Sequence, residues 1–152
     1  MASSPPAASP APPSGILETV LYAADLAAAE AFYRDVLGLE VYSRVAGRQV
    51  FLRCGAQMLL IFNPEATAKP PPPGARVPVP PHGAQGPGHV CFRASAAEIK
   101  AWRTHLLACG IAIEADFEWP NAVPDKRGRS IYVRDPAGNS VEIAEARIWG
   151  IE

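Results

Sequence analysis

Cysteine is scarce in this chain. Only Cys54, Cys91 and Cys109 occur among its 152 residues, an odd number with no close spacing. That pattern excludes a disulfide scaffold or a zinc knuckle and fits reduced thiols packed as small hydrophobes in a cytoplasmic protein. Long hydrophobic runs are missing too, since no uninterrupted apolar stretch approaches the roughly 18 residues of a membrane span. The start of the chain has no basic residues leading into an apolar core, so it does not read as a secretion signal. Charge of one sign is also lacking. Lys and Arg number 14 against 15 Asp and Glu, a formal net charge of -1, which removes the electrostatic basis for binding nucleic acid or an anionic membrane. The expected partner is a small molecule.

Proline, by contrast, is plentiful, and it punctuates the chain. Residues 1–15 consist of Met, Ala, Ser, Pro and one Gly. Such a segment buries too little apolar surface to offset its ordering entropy and is expected to be disordered. A second Pro-rich stretch, 63–88, contains "KPPPPG" and "PVPPHG" and is too long for an ordinary loop, reading as a linker or lid. Two structured halves remain, 16–62 and 89–148. At 49% hydrophobic residues they suffice for one domain with a sizeable core.

Both halves carry the same order of signals. In the first, Ile16–Tyr22 is a strand and Asp25 a good helix N-cap. Leu26, Ala29, Tyr33, Val36 and Leu37 form the helix's apolar stripe, and Gly38 ends it. Strands are expected over Leu39–Val45, Arg48–Cys54 and Gln57–Phe62. In the second, His89–Arg93 is a strand, and Ser95 with Glu98 forms a capping box. Ile99, Trp102, Leu106 and Cys109 make the stripe, and Gly110 is the stop. Strands follow over Ile111–Trp119, Arg129–Arg134 and Ser140–Glu145, with "PNAVPDKRG" as a loop. The pattern is βαβββ written twice.

The last strand poses a question. It follows the turn "DPAGN" (135–139) and reads Ser-Val-Glu-Ile-Ala, with ionisable Glu142 between two β-branched residues. Aligning the halves supplies an answer. Glu18 corresponds to His89, and, with one extra residue in the second turn, Leu60 corresponds to Glu142. Three of these four positions carry groups that bind divalent metals. A lone buried carboxylate is costly, whereas two carboxylates and an imidazole converging on a cation are compensated. That donor set suits Mn²⁺, Fe²⁺, Ni²⁺ or Zn²⁺ and leaves positions open for substrate oxygens.

The segments "ETVLYAADLAAAEAFYRDVLGLEV" (18–41), "GHVCFR" (88–93) and "DPAGNSVEI" (135–143) resemble the vicinal oxygen chelate superfamily. That group includes glyoxalase I, extradiol dioxygenases, methylmalonyl-CoA epimerase, and fosfomycin and bleomycin resistance proteins. The resemblance implies an α+β fold, two tandem βαβββ modules forming a U-shaped, partly open mixed β barrel with helices outside. It implies a metal held by Glu18, His89 and Glu142 that orients two neighbouring substrate oxygens, and it favours a homodimer. Two departures stand out. Most members have His or Gln where Glu18 stands, which counts against an iron dioxygenase. Glyoxalase I usually has Glu or Gln where Leu60 stands, and a leucine can neither ligate nor act as a base, which counts against lactoylglutathione lyase activity. "IYVRDPAGNSVE" (131–142) nonetheless resembles the tail of the extradiol dioxygenase signature, and its Tyr132 can donate a hydrogen bond to a substrate oxyanion.

Further pocket candidates are Tyr22 and Met58, chosen by strand parity, with Leu60, and Arg93 and Arg129 for an anionic substrate group. His82 falls in the Pro-rich stretch and reads as solvated loop, and His105 as the outer face of the second helix. Two functions compete. One is a metal-dependent enzyme of lyase or dioxygenase class, with Glu142 and Tyr132 catalytic, performing lyase, isomerase, ring-opening or thiol-addition chemistry. The other is a metal-free, bleomycin-resistance-like protein that sequesters a small molecule.

Overall fold

A computed structural model of the chain describes residues 10–120 and 127–151. The central part of the expected loop, 121–126, and most of the expected disordered tail lie outside these residues. The first sheet contains β1 (Glu18–Tyr22), β2 (Glu40–Val45), β3 (Gln49–Cys54) and β4 (Gln57–Phe62) in the order β1-β4-β3-β2. The second contains β5 (His89–Arg93), β6 (Ala115–Glu118), β7 (Arg129–Arg134) and β8 (Ser140–Ala144) in the order β5-β8-β7-β6. In each sheet the first strand runs parallel to the last and the other pairings are antiparallel. The expected βαβββ repeat is therefore present, as two open mixed sheets rather than a closed barrel.

Each module places its helix between its first two strands. The first helix, α1 (Leu26–Ala31), is capped by the Asp25 carboxylate, which accepts from the Ala28 N–H at 2.9 Å. It continues as a π-helical turn over Phe32–Val36, where the Leu37 N–H reaches the Phe32 carbonyl at 3.2 Å. The widened turn lets the adjacent Phe32 and Tyr33 both enter the core, their rings edge to face. The corresponding helix of the second module, α3 (Ala96–Ala108), has the full capping box. Ser95 accepts from the Glu98 N–H, and Glu98 accepts from the Ser95 N–H at 2.7 Å. Gly38 and Gly110 follow the helices with φ of +72° and +73°, a backbone region that a Cβ would strain.

The core lies between the sheets and these helices. Leu21, Val50, Leu52, Leu59 and Ile61 of the first sheet join Val90, Ile131, Val133, Val141 and Ile143 of the second. Ala29, Tyr33, Ile99 and Leu106 close over them from the helices. Both modules of one chain thus share a single apolar core. Side chains of opposite strand parity project to the other, open face of the sheets.

Several local expectations need correction. Cys109 ends α3 exposed rather than packed, and Cys91 is also exposed because it falls on the open face. His105 is exposed on α3 as expected, and its Nε2 also donates to the Val36 carbonyl at 2.8 Å, joining the two helical segments. The strand expected from Ile111 begins only at Ala115, because Ile111 and Ile113 pack against the core outside the ladder. Within 63–88 a short helix, α2 (Pro64–Thr67), was not foreseen. Asn63 caps it, and its Thr67 is buried.

The turn Asp135–Asn139 does more than reverse the chain. Asp135 Oδ1 accepts from the N–H groups of Ala137 and Asn139, and Oδ2 accepts from the Tyr33 hydroxyl at 2.9 Å and Asn139 Nδ2 at 2.8 Å. Asn139 in turn donates to the Tyr22 carbonyl and accepts from the Gly88 N–H at 2.7 Å. One turn of the second module thereby fastens the π-helical turn that follows α1, the end of β1 and the residue just before β5. Gly88 leaves little room there, since a Cβ would lie 3.0 Å from Leu21 Cδ2 and 3.2 Å from Asn139 Oδ1, and either side chain would have to shift to admit one. These bonds hold β1 alongside β5, so the two open faces adjoin.

Candidate functional site

Strand register places the candidate residues. In the second sheet Cys91, Glu142 and Tyr132 are direct neighbours across β5, β8 and β7, with His89 one pleat away beside Ser140. In the first sheet Val20, Leu60 and Phe51 are neighbours across β1, β4 and β3, with Glu18 opposite Met58. The pairs Val20–Leu60 and Cys91–Glu142 occupy matching places, so Leu60 is the structural counterpart of Glu142, and Glu18 that of His89.

Glu142 is the unusual member. Its carboxylate is buried, with Oε2 3.3 Å from His89 Nε2. Among the described residues its Oε1 is the one buried side-chain oxygen or nitrogen that lacks a hydrogen-bond partner. An orphaned buried carboxylate oxygen costs on the order of 1–3 kcal/mol or more. His89 is half-exposed and is oriented through Nδ1 against the Ser140 carbonyl at 3.2 Å. Its ring stacks on Tyr132 with centroids 6.2 Å apart, and Tyr132 stacks on Phe117 at 5.8 Å. Although Cys91 as a residue is exposed, desolvation of its thiol against the sheet and the adjoining Glu142 carboxylate push that thiol up to about 12. The same two causes raise the Tyr132 phenol to about 12, so both groups keep their protons at neutral pH.

The remaining candidates divide. Glu18 is exposed on the same face as Val20 and Tyr22. Among the described residues no three His, Cys, Asp or Glu side chains are grouped to hold a metal ion, so His89 and Glu142 come together without Glu18. Met58 is half-buried opposite Glu18, and Leu60 lies buried at the middle of the open face. Arg93 shares the face of His89 and Cys91 and is exposed. Arg129 is not brought to the site. It lies an odd number of residues from Tyr132, and its guanidinium pairs with Asp116 on the helix side.

Three residues of the site escaped sequence reasoning. Phe117 and Trp119 extend the ring stack from Tyr132, and the Trp119 indole donates to Ser130 Oγ at 2.9 Å. Parity counted back from Tyr132 through the β6–β7 pairing locates them, and that pairing is not readable in advance. His82 is the third. It is half-buried rather than fully solvated: its Nδ1 meets the Tyr22 hydroxyl at 2.8 Å and its ring lies 4.7 Å from that of Phe62. The Pro-rich stretch therefore straps one end of the first open face. A cavity of about 1040 Å³ lies between this strap, Tyr22, Asp25 and Pro136.

Comparison with known proteins agrees with the architecture. A lactoylglutathione lyase from Agrobacterium tumefaciens is 49% identical, covering 93% of this chain and 100% of that one with a TM-score of 0.83. A virulence protein from Salmonella typhimurium is 29% identical over 89% of this chain and 98% of its own, with a TM-score of 0.65. An integron cassette protein from V. Cholerae is 25% identical over 90% and 98%, with a TM-score of 0.66. The family profile described as Glyoxalase/Bleomycin resistance protein/Dioxygenase superfamily matches residues 15–143. With nearly the whole repeat inside that match, the chain belongs to this superfamily.

Proposed function

We propose that the chain is a metal-dependent enzyme of the superfamily, acting on a small substrate that presents two neighbouring oxygens. His89 and Glu142 would hold a divalent cation (Mn, Fe, Ni or Zn), with Glu18 of β1 as the third donor. The observation that carries this reading is the unpartnered Glu142 Oε1, which a cation or its ligands would satisfy. An imidazole and two carboxylates match the borderline-to-hard ions named. When bound, the cation supplies Lewis-acid polarisation of the substrate oxygens.

The chain's own groups divide the remaining work. Tyr132 keeps its phenolic proton beside Glu142 and donates a hydrogen bond to negative charge developing on a substrate oxygen. Glu142 is the nearest carboxylate for moving a substrate proton, because Leu60 leaves the matching place in the first module without one. Against the expectation drawn from Leu60, the likeness to the A. tumefaciens protein favours lyase chemistry on glutathione-linked substrates within the broader set of lyase, isomerase, ring-opening and thiol-addition reactions.

The test is a thermal melt of chelator-treated protein with each cation added back. A rise in melting temperature that Glu142→Ala and His89→Ala abolish supports the reading. No rise with any of the four ions overturns it. The lack of a three-donor group among the described residues favours a second reading, a metal-free protein that sequesters its ligand. That reading expects ligand affinity to be unchanged by chelator.

A further inference from the structure

A cavity of about 460 Å³ lies on the helix side of the second sheet, on the opposite face from Glu142, between α3, β6 and the start of β7. Five cationic side chains line it: Lys100, Arg103, Arg127, Arg129 and Arg147. Three carboxylates stand among them, Asp116, Glu118 and Glu145. The cavity is thus cationic in a chain whose formal net charge is -1. The carboxylates do not cancel that excess. Asp116 is shared between two guanidiniums, Arg103 Nε meeting Oδ2 at 3.1 Å and Arg129 meeting Oδ1. Glu145 spends Oε2 on the Arg129 backbone N–H at 2.7 Å. Lys100 and Arg127 reach no carboxylate among the described residues.

Sharing Asp116 also fixes two planar donors, one from α3 and one from β7, each with N–H groups that Asp116 leaves unused. Gly128 shapes the rim. A Cβ there would lie 2.7 Å from Ile148 Cγ2 and 3.1 Å from Arg147 Cγ, so glycine lets the turn Ala146–Trp149 close against the cavity. Ile99, wholly buried, lines the same space, and its apolar surface limits the screening of charge by water.

We propose that this cavity binds a dianionic phosphate group, free or carried by a small phosphomonoester. Guanidinium forks match phosphate oxygens in pairs, and Lys100 adds a point charge beside them. A phosphate charge of about -2 offsets the excess of cations. The space is larger than one phosphate needs and leaves room for a small attached body. Glu118 and Glu145 repel an extended polyanion, which excludes nucleic acid as the occupant. The site needs no bound metal, and it stands or falls apart from the function proposed above.

Calorimetry and thermal melts of the full, chelator-treated chain test this, with inorganic phosphate and glycerol 2-phosphate as probes at constant ionic strength. Saturable binding and a rise in melting temperature are expected. Lys100→Gln and Arg127→Gln should each weaken binding about tenfold or more while leaving the melting temperature without phosphate unchanged. Tighter binding of the ester identifies an organic phosphate as occupant, and equal or weaker binding identifies phosphate itself. His89→Ala should bind both probes as the unmodified protein does; loss of binding in that variant would move the anion to the candidate metal centre and overturn the proposal. Neither saturable heat nor a melting shift with either probe, or binding that both glutamine substitutions leave unchanged, overturns it as well.

Discussion

Replacing Asp135 with alanine should be the most damaging single change outside the apolar core. Its carboxylate accepts four hydrogen bonds, from two turn N–H groups, the Asn139 amide and the Tyr33 hydroxyl. The Ala137 N–H can recruit water, because Ala137 is exposed. Tyr33 cannot, since its side chain is wholly buried. Stranding that hydroxyl and slackening Asn139 costs about 4 kcal/mol, from about 1–3 kcal/mol for each buried group left unpaired. In a chain of this size, roughly 2–4 °C of melting temperature per kcal/mol gives a fall of about 8–16 °C. Tyr33→Phe removes the same bond from the other side but strands only one of several acceptor sites, and should cost about 1–1.5 kcal/mol. Denaturant melts of both single variants and the double variant form the decisive cycle. If Tyr33→Phe is as costly on the Asp135→Ala background as alone, the bond carries no coupling, and the account of this turn as a fastener between modules is wrong.

Other expectations follow from the same geometry. Burial, reinforced by Asp135, raises the Tyr33 phenol above its ordinary value of 10.0. The unfolded chain therefore ionises first, and the stability this residue contributes is complete below pH 10 and falls as pH climbs beyond it. Tyr33→Phe should flatten that alkaline limb in melts compared at pH 8 and pH 10.5, and an unchanged slope would show that the shift is not carried by this residue. Ser95→Ala removes one half of the capping box on α3 and should cost about 1 kcal/mol, a fall of about 2–4 °C by calorimetry.

Much of the architecture could be read from the chain because it is written twice. Matching the halves paired Leu60 with Glu142, and the ladders agree: Val20 faces Leu60 where Cys91 faces Glu142. Helix ends were legible from Asp25, Ser95, Gly38 and Gly110, whose effects are local. Parity within a strand was legible as well, and it argues against Arg129 once Tyr132 is fixed as a site residue. What could not be read were relations between distant segments. Nothing near His82 announces that it will meet Tyr22, 60 residues earlier. Nor does parity say how far Glu18 stands from His89, because the two belong to different sheets.

The fastening turn has a further consequence. It belongs to the second half alone, for the matching β3–β4 turn of the first is the short Cys54–Gln57 connection, which has no Asp or Asn to reach across. The halves are thus unequal partners, one bearing the buckle and the other the strap hole. Trypsin should cut the exposed Arg76–Val77 bond without releasing either piece, and the fragments should co-elute on gel filtration until denaturant separates them.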